Sequence, residues 1–176
     1  MSLPVTLDEA KAQLRADGDE QDAEILDFIR DAADWVEGFT GHILEAREVT
    51  EQFRGFGPVA LRAWPIAPAA VPAGAYLNDA GAPVALVGAQ LDLSRRPARV
   101  LPPAGTLFWP FCRADQLFTI TIRAGYETPA DVPRQLCRAM LVLISAYDAD
   151  REGGSTFADA EKTAQRLCHR FKRHAL

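Results

Sequence analysis

Nine of the twelve prolines fall between Pro58 and Pro110. Proline removes a backbone donor and clashes with the preceding helical turn, so no long helix can run through that third of the chain. The segments on either side carry helical periodicity instead. Leu7, Ala10 and Leu14 share one face, and Ile25, Phe28, Ile29, Ala32, Trp35, Val36 and Phe39 form a second apolar stripe. Downstream, Leu136, Cys137, Met140, Leu141, Leu143, Ile144 and Tyr147 form a third, and Phe157, Ala160, Ala164, Leu167, Cys168 and Phe171 a fourth. The pattern predicts an α+β fold: a helical body of about four helices with a small antiparallel β-sheet inserted.

Local signals set the boundaries. Thr6-Leu-Asp-Glu9 is a capping box that opens the first helix, which is expected to end near Asp17-Gly18. The acidic link Asp19–Asp22 suits a second helix start, where negative charge meets the positive end of the helix dipole, and Gly41 supplies its stop. Strands are expected around Glu48–Phe53, Val59–Ala63, Ala75–Leu77, Val84–Val87 and Arg99–Leu101, with Asn78-Asp-Ala-Gly81 as a hairpin turn. Phe118, Ile120 and Ile122 alternate with Thr119, Thr121 and Arg123, the period of a half-buried strand that Gly125 ends. Pro133 fits the first position of the third helix. One domain over 1–176 follows, with helices at 6–41, a β-rich insertion at 46–124 and helices at 133–152 and 156–173. With no second large core available, the last helix must pack on this domain or on another subunit.

The net charge is −5, which speaks against a general nucleic-acid binder and against a regulatory DNA-binding protein. Its distribution is uneven. Residues 1–40 hold eleven acids, Asp27, Asp31 and Asp34 among them, against Lys11, Arg15 and Arg30, whereas residues 162–176 hold Lys162, Arg166, Arg170, Lys172 and Arg173 and no acid. Such ends are either two solvated helix faces or the two sides of a head-to-tail contact.

The sequence proposes no catalytic, cofactor or metal site. Asp17–Asp22 fails as a calcium loop, because the sixth position is Asp22 and the twelfth is Phe28 where glycine and glutamate are needed. Asp148-Ala-Asp150 resembles a metal-binding pair, but it closes a helix and reads as a solvated end or as a salt bridge to a partner. His42, His169 and His174 are scattered, and Cys112, Cys137 and Cys168 form no disulfide or zinc pattern. That odd, widely spaced set of thiols suits a reducing compartment. No signal peptide is evident, and the most apolar window, Leu136–Tyr147, is too short to span a membrane. Phe108 and Trp109-Pro110-Phe111 form a loop aromatic cluster that either makes partner contacts or covers the open end of the sheet.

The order of these signals resembles one known family. Thr6-Leu-Asp-Glu-Ala-Lys and Leu14, the acidic link, and a helix ending Val36-Glu-Gly-Phe-Thr-Gly41 come first. A strand-rich middle, Trp109-Pro110, Ile120-Thr-Ile-Arg-Ala-Gly-Tyr126, Val132-Pro133 and Asp150-Arg-Glu152 follow. Over residues 5–152 this is similar to the head–tail connector (adaptor) family of tailed phages, the group resembling the connector of phage HK97, in its branch with a longer strand-containing middle. Related adaptors occur in prophages and in gene transfer agents. The resemblance implies a non-enzymatic structural protein without cofactors, made in the host cytoplasm and then part of the virion at the head–tail junction. It implies a ring of about twelve copies below the portal protein, through which DNA passes without specific binding, and a surface for a tail or stopper component; no membrane is involved. Arg166, Arg170, Phe171, Lys172 and Arg173, with Asp27, Asp31 and Asp34, are the expected portal or subunit interface, and a truncation after Gly154 is expected to leave a folded protein. The family often ends in a Leu-Leu-x-Pro-Tyr-Arg-like segment, whereas Leu167-Cys-His-Arg-Phe-Lys-Arg173 lacks the proline. The competing reading is a small-molecule binding module or an enzyme of unknown type.

Overall fold

The computed structural model describes residues 3–54, 58–77, 81–109, 117–150 and 154–172. The chain divides into two compact units, one made of residues 1–45 and 126–176 and the other of residues 46–125. Among the described residues there are four α-helices and seven strands: α1 Leu7–Leu14, α2 Asp22–Thr40, β1 Arg47–Arg54, β2 Val59–Ala60, β3 Ala73–Leu77, β4 Pro83–Ala85, β5 Gln90–Asp92, β6 Arg99–Leu101, β7 Leu117–Ala124, α3 Arg134–Ala149 and α4 Ser155–Cys168. The α+β class holds.

The helical unit starts from its caps. The Thr6 side chain accepts from the Glu9 backbone N–H at 3.2 Å, and the Glu9 carboxylate accepts from the Thr6 backbone N–H at 2.9 Å. Helix α1 ends at Arg15, which takes a left-handed conformation (φ 57°), slightly earlier than the Asp17-Gly18 breaker suggests. Lys11 then joins α1 to the start of α2, with Nζ 2.6 Å from Asp22 and 3.3 Å from Asp19. The hydrogen bond to Asp22 raises the Lys11 pKa. Gly41 closes α2 at φ 70°, and its N–H donates to the Glu37 carbonyl.

Pro133 sits one residue outside α3 as its N-cap, its carbonyl accepting from Leu136 and Cys137. The link before it is a short 3-10 turn, Pro129–Asp131, in which Asp131 accepts from the backbone N–H and the hydroxyl of Thr128. Helix α4 runs back along α3: Tyr147 stacks on Phe157 at 5.4 Å at one end, and Leu167 shares a hollow with Arg134 and Leu141 at the other. Ala10, Val36, Leu136, Ala139, Met140, Leu143, Ile144, Ala164 and Cys168 are all fully buried in the resulting core. The last helix therefore packs on its own chain.

Helix α3 stops at Ala149, short of the 133–152 span, and α4 gives way to a 3-10 turn over His169–Phe171. Asp150 explains the change of direction. Its carboxylate accepts the Phe157 N–H at 3.3 Å, and backbone hydrogen bonds from Gly154, then Phe157 and Thr156, hold its pKa below the usual value. It supplies the helix-start acceptor that α4 otherwise lacks. Because the folded pKa is the lower one, this stabilisation is present above the ordinary carboxyl value of about 3.8 and is lost as pH falls through the folded value. Asp150→Ala is expected to lower the melting temperature at pH 7 and to leave a smaller difference from the parent below pH 3; an equal difference at both pH values would contradict the role.

In the second unit the strands form two sheets where one was expected. The first has the order β1-β7-β3-β4 and the second β2-β6-β5, all pairs antiparallel. Strand β7 lies between β1 and β3, with Phe118 opposite both Phe53 and Tyr76. Its inward residues Phe118, Ile120, Ile122 and Ala124 are buried, as the alternation predicts. The pairing of Leu77 with Pro83 makes β3 and β4 a hairpin, while Asn78–Ala80 of its turn lie outside the described residues. Segment 59–63 is only briefly a strand, because the Arg62 and Ala63 N–H groups turn to the Glu51 carboxylate of β1, at 2.9 to 3.0 Å. Strand β5 was not expected.

Gly74 is required by the sheet. A Cβ there would meet the Thr119 carbonyl oxygen of β7 and Cδ1 of Leu86, each at 2.7 Å. The side chain could move but the neighbouring backbone could not. Gly74→Ala should cost about 1–3 kcal/mol, read as a lower urea midpoint; an unchanged midpoint would show that the strands separate freely at this point.

Candidate partner-binding surface

The candidate interface residues divide between two helices of the first unit. On α2, Ile25, Ile29, Ala32, Ala33 and Val36 turn inward and are buried, which leaves Asp27, Asp31 and Asp34 exposed. Spaced by four and three, they form one acidic stripe. Asp27 accepts from Arg30 on the same helix at 2.6 Å.

On α4 the buried positions are Ala164 and Cys168, which turns Lys162 and Arg166 to solvent. His169, Arg170 and Lys172 are also exposed. Phe39, Lys162, Gln165, Arg166, His169 and Lys172 line a groove of about 560 Å³ between the C-terminal halves of α2 and α4. The Lys172 ammonium lies 4.6 Å from the centre of the Phe39 ring, a cation–π contact that holds the charge over the groove. Lys162 bonds Asp159 at 3.0 Å, again within one helix. The face of α4 turned to α2 is different: there Glu161 accepts from the Trp35 indole N–H at 3.2 Å.

Arg170 and Phe171 do not line this groove. Phe171 packs edge-on against His42 at 5.5 Å, with the Arg170 guanidinium 4.7 Å from its ring centre. His42 is buried, stacks on Tyr126 and shares a 2.7 Å hydrogen bond between Nδ1 and the Tyr126 hydroxyl. Thr40 accepts from the His42 N–H, and Glu37 accepts from the Leu44 N–H. This corner fixes the end of α2 and seats the end of α4. Arg173 lies outside the described residues, as do His174, Cys112, Pro110 and Phe111. Of the loop aromatics, Trp109 is buried 5.8 Å from Phe118 and covers the sheet, whereas Phe108 is exposed.

The sequence did not single out Phe39, Gln165 or His169 as surface partners, nor His42 with Tyr126. Their signal is long-range: each matters because α2 lies beside α4 or because Tyr126 returns beside His42.

Among the described residues no group of three His, Cys, Asp or Glu side chains could hold a metal ion, and no helix is long and apolar enough to cross a membrane. Burial pushes the Cys168 thiol up to about 11 and raises that of Cys137, away from the thiolate that nucleophilic chemistry needs.

With fold and surface described, the comparisons with known proteins can be set beside them. Residues 4–56 match the family of phage gp6-like head-tail connector proteins. Over nearly its whole length the chain has the fold of chains from gene transfer agent (GTA) particles. It matches a chain of "Neck of empty GTA particle computed with C6 symmetry" with a TM-score of 0.80 at 21% identity, covering 98% of this chain and 91% of that one. A chain of "Virion of native gene transfer agent (GTA) particle" matches with a TM-score of 0.77 at 22% identity, covering 100% and 94%. A chain of "Neck of native GTA particle computed with C12 symmetry" matches with a TM-score of 0.69 at 25% identity, covering 94% and 89%. Comparison with curated proteins finds no match.

Proposed function

We propose that this protein is the head–tail connector of a phage or gene transfer agent particle, a ring-forming component of the neck below the portal. The observation that carries the reading is the agreement of two independent signals. The connector family's sequence pattern occupies residues 4–56, and a fold like that of a GTA neck chain covers 98% of the molecule. The similar chains belong to structures computed with sixfold and twelvefold symmetry, so about twelve copies in a ring is the arrangement proposed here. A ring of one subunit type closes only through heterologous contacts, in which two different faces of the protein meet. The acidic stripe on α2 and the basic groove beside α4 are two different patches of opposite charge.

The proposed ring extends the DNA channel and presents a tail or stopper component with its attachment surface. A chain of net charge −5 suits a lumen that repels phosphate and lets DNA pass unread. Deleting the gene in particle-producing cells should give filled or leaking heads without tails, restored by the gene supplied in trans. Normal tailed particles from the deletion strain would refute the assignment.

A further inference from the structure

We propose that the groove lined by Phe39, Lys162, Arg166, His169 and Lys172 is the seat for the acidic α2 stripe of a second copy of this chain. The inference rests on the connector reading and names the contact that closes its ring. Three observations select the occupant. The groove is basic and opens to solvent beside α4, so it calls for an acidic guest. This chain carries such a guest in helical form, because Asp27, Asp31 and Asp34 are exposed along one side of α2. The two sets also share a spacing: Asp27, Asp31 and Asp34 follow one another by four and three residues, and so do Lys162, Arg166 and His169. Four residues of helix rise about 6 Å, so the first two charges of each stripe stand equally far apart.

Between α2 and α4 of one chain, Lys172 lies over the Phe39 ring and the polar link runs from Trp35 to Glu161, an acid on the α4 side. The ion pairs Arg30–Asp27 and Lys162–Asp159 each stay within one helix and are solvent-exposed. Exposed pairs of this kind hold weakly and exchange readily for pairs across an interface. Complementary rims of this sort fix register and reject wrong neighbours, as a ring with a defined copy number requires.

The test uses two full-length variants: one with Asp31→Lys and Asp34→Lys, the other with Lys162→Glu and Arg166→Glu. Each is produced in place of the parent protein in particle-producing cells, alone or together, and tailed particles are counted by electron microscopy. Thermal melts of the purified variants establish that each is folded. Either variant alone opposes like charges at every contact and should lower tailed particles roughly tenfold or more. Produced together, they can alternate around the ring, the new basic α2 of one entering the new acidic groove of the other. Co-production should therefore bring the count back to within about threefold of the parent level, since each tenfold loss corresponds to a coupling that the swapped charges restore.

Folded variants that fail singly and also fail together would overturn the proposal, as would folded variants that assemble normally. Loss with the groove variant alone would assign the groove to an acidic partner other than this chain, and would equally overturn it. Failure of the connector reading looks different, because the deletion strain would then already yield normal tailed particles.

Discussion

Removing everything after Gly154 should unfold the helical unit. The truncation takes away Ala164 and Cys168, both fully buried, together with Phe157, Leu167 and Phe171, which pack on the same core. It strips Tyr147 of its stacking partner, Trp35 of its hydrogen-bond acceptor and the Asp150 carboxylate of the backbone N–H of Phe157. Burying a large apolar side chain contributes about 1.5–3 kcal/mol. Phe157, Leu167 and Phe171 are partly buried, but with the lost Ala164 and Cys168 and the newly uncovered α3 face the loss takes a large share of the roughly 5–15 kcal/mol that typically holds a whole domain together. The expected result is a large loss of helical circular dichroism, with dye binding to exposed apolar surface. A truncated protein with an unchanged cooperative melt would show that α4 is dispensable for folding. The sequence reading expects that outcome, since it leaves the last helix free to pack on another subunit. The structure makes α4 part of the helical core, so a chain lacking it would fail through instability before any docking contact was tested.

Phe118→Ala should cost about 3–5 kcal/mol. Phe118 is buried on β7, with Phe53 and Trp109 each 5.8 Å from its ring. Because β7 lies between β1 and β3, the cavity would open where the strands on both sides depend on it. An equilibrium urea melt should show a much lower midpoint with little change in slope. A loss below about 1 kcal/mol would mean that the neighbouring rings collapse into the space.

Much of this architecture was legible in the sequence wherever the determinant was local. Thr6 with Glu9, Gly41, the alternation through Ile122 and the four apolar stripes each act within a few residues, and each has its expected counterpart in the fold. What was not legible depends on pairing between distant segments. Gln90-Leu-Asp92 is three residues with no alternation to read, and it is a strand only because β6 lies beside it. The short β2 has the same origin: Glu51 draws Arg62 and Ala63 away from strand pairing. The interface candidates followed from charge counts, which find Arg166 and Asp31 but cannot separate Lys172 on its groove from Phe171 in its corner. That separation follows from the side-by-side placement of α2 and α4.

Where the protein sits in an assembled particle decides whether it is a connector. Electron cryo-microscopy of intact particles, reconstructed at the head–tail junction without imposing symmetry on the neck, would locate it. A connector would appear as a ring of about twelve copies in the neck, with the fold described above. Particles whose neck density contains no copy of this chain would contradict that assignment.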